Sequence, residues 1–441
     1  MKKLIVPTGQ FIIKERDTNT QVEALLGVCL GVSLVDKKRG IGGLSHFLLP
    51  FPSESRSSLS PQYFVSTGLP LFVEEMLQKG AKRHNLEATV AGGAMLDPEE
   101  DLELNLGEKS KDIAFSCLRD MKIPIRLSET GGYNGWKLVL RLRDLQSEII
   151  PLPDFPKTSD LMDTDHTPNL SGDKIYKRLE EISSIPQITL KVIHMLNDER
   201  YDLKQITEEL RQDQVLVARV LRFCNSTYMG IPRRIDSIER AILIIGERLL
   251  LKVILMASLE PIMQKNDGYS LCEGGLFHHS IKTGKAAEIL SHILGSVRAD
   301  VAYTAGLLHD IGKVVLDQYM SRYRPQFYRE LENRKGDLLS IEQDIFGIDH
   351  AQAGKILAKR WNLIPNIIDV IENHHFPENA RVDSYLAHLV YLSDLLVNRL
   401  NPHLELDHIN TTDLSTRLER LGLKKGDLTR LLEHLHFHID S

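Results

Sequence analysis

Between residues 24 and 49 the chain reads ALLGVCLGVSLVDKKRGIGGLSHFLL, two apolar runs rich in Val, Leu and Ile on either side of the turn cluster DKKRGIGG. Apolar runs of this length, broken by turn residues, predict a pair of strands. Residues 69–83, LPLFVEEMLQKGAKR, change period to helical spacing with Gly80 near the end, and LEATVAGGA then returns to a strand pattern. A second helical stretch, SKDIAFSCLRDMK, precedes IPIRLSETGG and the strand-like KLVLRLRD. Strands interleaved with helices predict a layered α/β domain over residues 1–152.

The pattern then stops. PLPDFPKTSDLMDTDHTPNLSGD carries four prolines and many Asp, Ser and Thr with no apolar period, so residues 153–172 read as a linker. Beyond it nearly every segment is helical, from KVIHMLND through IERAILIIGERLLLKVILMA to LAHLVYLSDLLVNRL. This predicts an all-α domain over residues 173–400 and a helical tail over 401–441, with no internal repeat joining the two parts.

A length of 441 residues fits at least two cores, and 42% apolar with 26% charged residues is ordinary for folded protein. A formal charge of −6 with scattered basic residues argues against a nucleic-acid partner. No run is long enough to span a membrane and the N-terminus lacks an apolar signal stretch, so a cytoplasmic protein is expected. The four cysteines, Cys29, Cys117, Cys224 and Cys272, have no CxxC spacing and read as free thiols. Histidine is uneven: 13 of 17 lie after position 270, which places any imidazole-based metal site in the C-terminal part.

Taken alone, Cys29 in an apolar run reads as a small buried hydrophobe, and His46 as a structural histidine. Their setting changes that reading, because Gly27 and Gly31 flank the cysteine and Gly42 and Gly43 precede the histidine. Glycines inside strands mark bulges or close approach of a backbone or ligand. LLGVCLGVSLVD…GIGGLSHFLLP resembles the LGSC…GGxxHxxLP signature of the CheD family, with the same Cys-to-His spacing. FVEEMLQKGAKRHNLEATVAGGAM, LGEKSKD and IPIRLSETGGYNG continue the resemblance in order across nearly all of the first 150 residues.

The resemblance implies a glutamine amidohydrolase that needs no cofactor, acts on chemoreceptor signalling domains, and has a CheC-like phosphatase as partner. Cys29 would attack the side-chain amide, and His46 would take the thiol proton and return it to the leaving ammonia. The family has a threonine six residues before its cysteine as third catalytic member, and here Glu23 stands in that place. Glu23 either orients His46 as a carboxylate does in serine-protease triads or marks a lost activity. An unbroken strand would hold positions 23 and 29 about 20 Å apart, so this requires a bend, at Gly27. Val28 and Trp136 also depart from the family pattern.

In the C-terminal part, VLVARVLRFCNSTYMGIPRRIDSIERAILIIG, FHHS, GLLHDIGK and FGIDHAQAG resemble HDOD domains, all-helical signalling modules related to HD-type metal phosphohydrolases. By that relation His279, His309, Asp310, His350, His374, His375 and Asp394 are candidate ligands for a divalent ion, Mn, Fe or Mg. Lys313 is placed to meet a phosphate oxygen. NHHFPENA lacks the GYP continuation of the cyclic-di-GMP phosphodiesterases, and a binding or transmitting module is the expectation. The alternatives are a metal phosphohydrolase working through this domain and an adaptor without catalysis in either half.

Overall fold

The structure is a computed structural model. It describes residues 2–52, 59–94, 106–132, 135–152, 187–197, 203–226, 229–231, 235–264, 268–270, 272, 274–295, 297–333, 338–402, 404, 406–407 and 409–439. The chain divides into two compact units, one of residues 1–157 with 395–441 and one of residues 158–394. Residues 395–441, which include the tail expected over 401–441, group with the first unit. The expected linker over 153–172 lies outside the described residues.

The first unit holds two sheets. One orders β1 (Lys2–Ile5), β3 (Thr20–Leu26), β8 (Trp136–Arg141) and β9 (Gln146–Pro151). The other orders β2 (Gln10–Glu15), β5 (Ile41–Phe47), β4 (Leu30–Asp36), β6 (Glu87–Gly92) and β7 (Ile125–Thr130). The apolar run read as one strand is therefore two: Gly27–Cys29 form a bend, and the chain passes from one sheet to the other there.

Alternation along β4 and β5 builds three layers. Leu30, Val32, Leu34, Ile41 and Phe47 join a core with Val65, Leu69, Phe72 and Met76 of α1 (Val65–Gln78), and Ala114 and Leu118 of α2 (Leu106–Asp120). The intervening Gly31, Ser33 and Gly42 face the other sheet, where Leu138, Leu140 and Leu145 lie and Ser147 Oγ donates to Ser33 Oγ at 2.8 Å.

The DKKRGIGG cluster is the turn between β4 and β5, and Asp36 holds it. Its carboxylate accepts from the N–H of Lys38 (3.1 Å), Arg39 (2.9 Å) and Lys82 (2.9 Å) and from Asn85 Nδ2 (3.4 Å), all while buried. Burial pushes this carboxyl up, but the donors outweigh it and hold it below its ordinary 3.8. A depressed folded value contributes stability above pH 3.8 that is lost as pH falls through the folded value. Asp36→Ala is expected to cost about 2–4 kcal/mol at neutral pH, the cost of several orphaned donors. Urea melts at pH 7 and pH 3 check this, with the difference between variant and wild type shrinking at the lower pH.

The second unit is all-helical, as expected. It contains α3 (Gln187–Asn197), α4 (Leu203–Gln212), α5 (Gln214–Cys224), α6 (Ile238–Ile245), α7 (Glu247–Met263), α8 (Gly275–Leu294), α9 (Ala299–Leu308), α10 (Lys313–Asn333), α11 (Leu338–Phe346), α12 (His350–Arg360), α13 (Pro365–Asn373) and α14 (Ser384–Leu400) up to Asp394. The pair α8 and α9 cross at Gly284 and Gly306, where a Cβ on Gly306 would lie 2.8 Å from the Thr283 carbonyl and 2.9 Å from Gly284 Cα. The absence of side chains there lets the two helices approach closely, which matters for the histidines they carry. Two further helices, α15 (Leu414–Arg420) and α16 (Asp427–Ile439), belong to the first unit. No helix among the described residues is long and apolar enough to cross a membrane.

Candidate functional site

Cys29 heads β4 and is 1% exposed, and His46 near the end of β5 is 5% exposed. Register sets His46 opposite Gly31 of β4, and Cys29 lies two residues before Gly31, in the bend that leads into the strand. The bend is pinned from β6: Gly93 N donates to the Cys29 carbonyl (2.8 Å) and Ala94 N to that of Gly27 (2.9 Å).

His46 faces the second sheet, and its ring is held from the segment that joins β1 to β2. Nδ1 lies 3.1 Å from the Val6 carbonyl and Nε2 3.4 Å from Thr8 Oγ1, while Gly9 N donates to the His46 carbonyl at 2.7 Å. A carbonyl only accepts, so Nδ1 carries a proton, and Nε2 is the ring nitrogen left to serve as a base. That is the tautomer a base needs, and a main-chain oxygen fixes it.

Glu23 is elsewhere. On β3, Val22, Ala24 and Leu26 are fully buried, and Glu23 lies on the opposite face of that sheet, in register with Ile5 and Val139. Its carboxylate accepts from Gln21 Nε2 and pairs with Lys3 at 3.7 Å, with no hydrogen bond or ion pair to His46 among the described residues. The chain does bend at Gly27, but the period-two alternation of β3 has already turned the side chain away.

In the second unit the seven candidate ligands come together in two buried groups, His279 with His309 and Asp394, and Asp310 with His350, His374 and His375. Within each, the ligand atoms lie within 4.8 Å of one another. Asp310 links the groups: Oδ2 is 3.1 Å from His309 Nε2, and Oδ1 is 3.3 Å from His350 Nε2 and 3.4 Å from His374 Nε2. Asp394 Oδ1 is 3.0 Å from His279 Nε2, and His375 Nε2 is 2.9 Å from His350 Nε2. Three rings are aimed by their far nitrogens, His309 Nδ1 at the Gly306 carbonyl (2.7 Å), His374 Nδ1 at that of Ile371 (2.9 Å) and His350 Nδ1 at Glu342 Oε2 (2.7 Å). This is the second-shell arrangement that metal-binding histidines use.

Charge in this cluster is concentrated. Burial pushes the Asp310 carboxyl up, but His309 and Lys313, whose Nζ is 2.8 Å away, hold it well below the usual range. Burial likewise lowers His350, and Glu342 beside it more than compensates, holding the ring at about 10. His374 is pulled below its ordinary value, chiefly by burial. The residues fit a divalent ion on two counts. Asp310 Oδ1 and Asp394 Oδ1 are buried and face imidazole nitrogens, and five imidazoles with two carboxylates form the donor set of a transition-metal site.

The family model for CheD chemotactic sensory transduction matches residues 48–149, and that for the HDOD domain matches residues 182–377. A probable chemoreceptor glutamine deamidase CheD of Pyrococcus horikoshii is 38% identical over 143 residues, 32% of this chain and 88% of the relative. The chain belongs to the CheD family. A second CheD, from Methanococcus vannielii and named in the same way, is 35% identical over 28% of this chain and 79% of its own. In this CheD-family chain the helical part carries an HDOD domain. A crystal structure of an HDOD domain protein of unknown function from Geobacter sulfurreducens superposes with TM-score 0.51 at 25% identity, covering 61% of this chain and 94% of the other. Cys29 and His46 lie just before the span matched by the CheD model.

Two residues escaped the sequence reading. Thr8 precedes a glycine in a turn, with nothing in its spacing to tie it to position 46. Glu342 was more legible: Leu338, Ile341, Ile345 and Phe346 form the buried stripe of α11, and Glu342 falls on that stripe as a fully buried charge. For the CheD module, Thr8→Val is expected to lower kcat by about 2–10-fold, the equivalent of one hydrogen bond. Glu23→Gln is expected to leave it within about twofold, since an exchange at a site remote from the base nitrogen costs little. Steady-state kinetics of both variants check the pair of expectations, and the reverse order would return Glu23 to the site.

Proposed function

We propose that the first unit hydrolyses glutamine side-chain amides on chemoreceptor signalling domains, with Cys29 as nucleophile and His46 as base. The observation that carries this is the hold on the His46 ring, with Nδ1 on the Val6 carbonyl and Nε2 left toward Thr8 to act as the base nitrogen. His46 Nε2 takes the thiol proton, and the thiolate attacks the carboxamide carbon. Collapse of the tetrahedral species breaks the C–N bond, with the imidazolium proton leaving on ammonia. Water, deprotonated by the same ring, then hydrolyses the thioester to glutamate and regenerates the thiol. Names of the relatives support the receptor as substrate, and family resemblance supports a CheC-like phosphatase as partner in the cytoplasm. The test is to incubate the full chain with receptor signalling fragments and map glutamines by mass spectrometry. Conversion of specific glutamines to glutamate is expected, and its absence under reducing conditions overturns the reading.

The converging imidazoles favour a second role for the HDOD unit, binding of a divalent ion by the seven buried ligands, with Glu342 orienting His350. The imidazole-rich set suits Fe or Mn better than Mg. Such an ion supplies Lewis acidity toward water or a phosphate oxygen, and Lys313 supplies a fixed positive charge beside it. Elemental analysis of the purified chain is expected to show bound metal that is lost in His350→Ala. A metal-free protein after growth in supplemented medium removes this reading and leaves a transmitting module.

A further inference from the structure

Within the first unit, the segment Arg399–Pro402 at the end of α14 lies against the bend that carries Cys29. Val28 N–H donates to the Arg399 carbonyl at 3.3 Å. A Cβ on Gly27 would fall inside van der Waals contact of that same oxygen and 3.2 Å from Pro402 Cδ. One on Gly135 would sit 2.8 Å from Pro402 Cγ. Gly27 and Gly135 thus form a bare backbone surface on which this segment rests, directly before the nucleophile. Arg399 is itself buried, at 8% exposure.

We infer that Arg399–Pro402 is an intramolecular occupant of the surface on which the glutamine-bearing receptor segment docks, so that substrate and strap compete. This rests on the reading of Cys29 as the deamidase nucleophile. The chemistry is matched: a carboxamide brought to Cys29 presents a carbonyl oxygen, and Val28 N–H, one residue before the thiol, already receives one from Arg399. With the strap seated, Cys29 and His46 are both nearly inaccessible.

The test is alkylation of Cys29 by iodoacetamide in the full chain, followed peptide by peptide. Two variants release the strap by different means, Pro402→Asp and insertion of a Gly-Ser pair after Leu400. Cys224, fully buried in the other unit with its thiol pushed up to about 11 by burial, reports any general unfolding. Cys29 labelling is expected to rise about tenfold or more in both variants with Cys224 silent, as for a local opening. Receptor deamidation rises in parallel. Faster labelling without deamidation keeps the strap and sinks the deamidase reading, whereas unchanged labelling in both variants overturns the strap. Hydrogen exchange of the wild-type chain gives an answer even if a variant unmasks Cys224. Excess receptor fragment is expected to strip protection from residues 399–402 while Gly27–Cys29 stay protected, and protection of both segments in the complex overturns the inference.

Discussion

Cys29→Ala is expected to abolish glutamine deamidation, lowering turnover by roughly 10⁴-fold or more while leaving the first unit folded. On the proposed mechanism water cannot replace the thiol, because amide hydrolysis without the thioester intermediate must expel ammonia in one difficult step. The side chain is small and buried, so alanine leaves a space of about one sulfur atom and costs roughly 1 kcal/mol. Thermal melts will separate loss of chemistry from loss of fold. Cys29→Ser keeps the hydrogen-bonding shape but not the acidity, and is expected to stay inactive. His46→Ala is expected to lose about 10²–10⁴-fold, the usual contribution of a general base. Residual activity in Cys29→Ala close to wild type would assign the nucleophile elsewhere.

Asp310→Ala is expected to have the largest structural effect in the second unit. Its carboxylate sits among His309, His350, His374 and Lys313, and Lys313 is fully buried. Removing the anion deletes the carboxylate that pairs with this buried ammonium, which costs about 3–5 kcal/mol, or on the order of 10 °C in Tm for a unit of this size. The same substitution deletes the ligand shared by both groups, so metal content is expected to fall to background. Asp310→Ala combined with Lys313→Met separates the two losses: stability returns for the most part and metal does not. Calorimetry and elemental analysis on the single and double variants are sufficient. Unchanged Tm in Asp310→Ala would mean that Lys313 has other compensation in the folded state.

Much of this was legible in the residues. Alternation and turn chemistry marked β4, β5 and the Asp36 turn, and helical period marked the second unit, because both signals are local. The histidines could be picked as ligands one by one, but their convergence depends on Gly284 and Gly306 bringing α8 against α9, a contact between positions 22 residues apart whose pairing no local pattern shows. The bend at Gly27 was legible from its glycine, but the passage from one sheet to the other was not, because an apolar run that crosses between sheets is composed like a single strand. Glu23 was assigned from position in a family motif, and the face it occupies is set by the pleat of β3 rather than by its distance along the chain. The grouping of residues 395–441 with the N-terminal unit is a long-range contact and leaves no mark in composition.

The hold of the Val6 carbonyl on His46 has an evolutionary consequence. Every residue type supplies that oxygen, so no single side-chain exchange at position 6 deletes the acceptor. A dyad aimed by the main chain can tolerate turnover at the position where its relatives keep a threonine. Position 23, which faces away from His46, lies outside that hold.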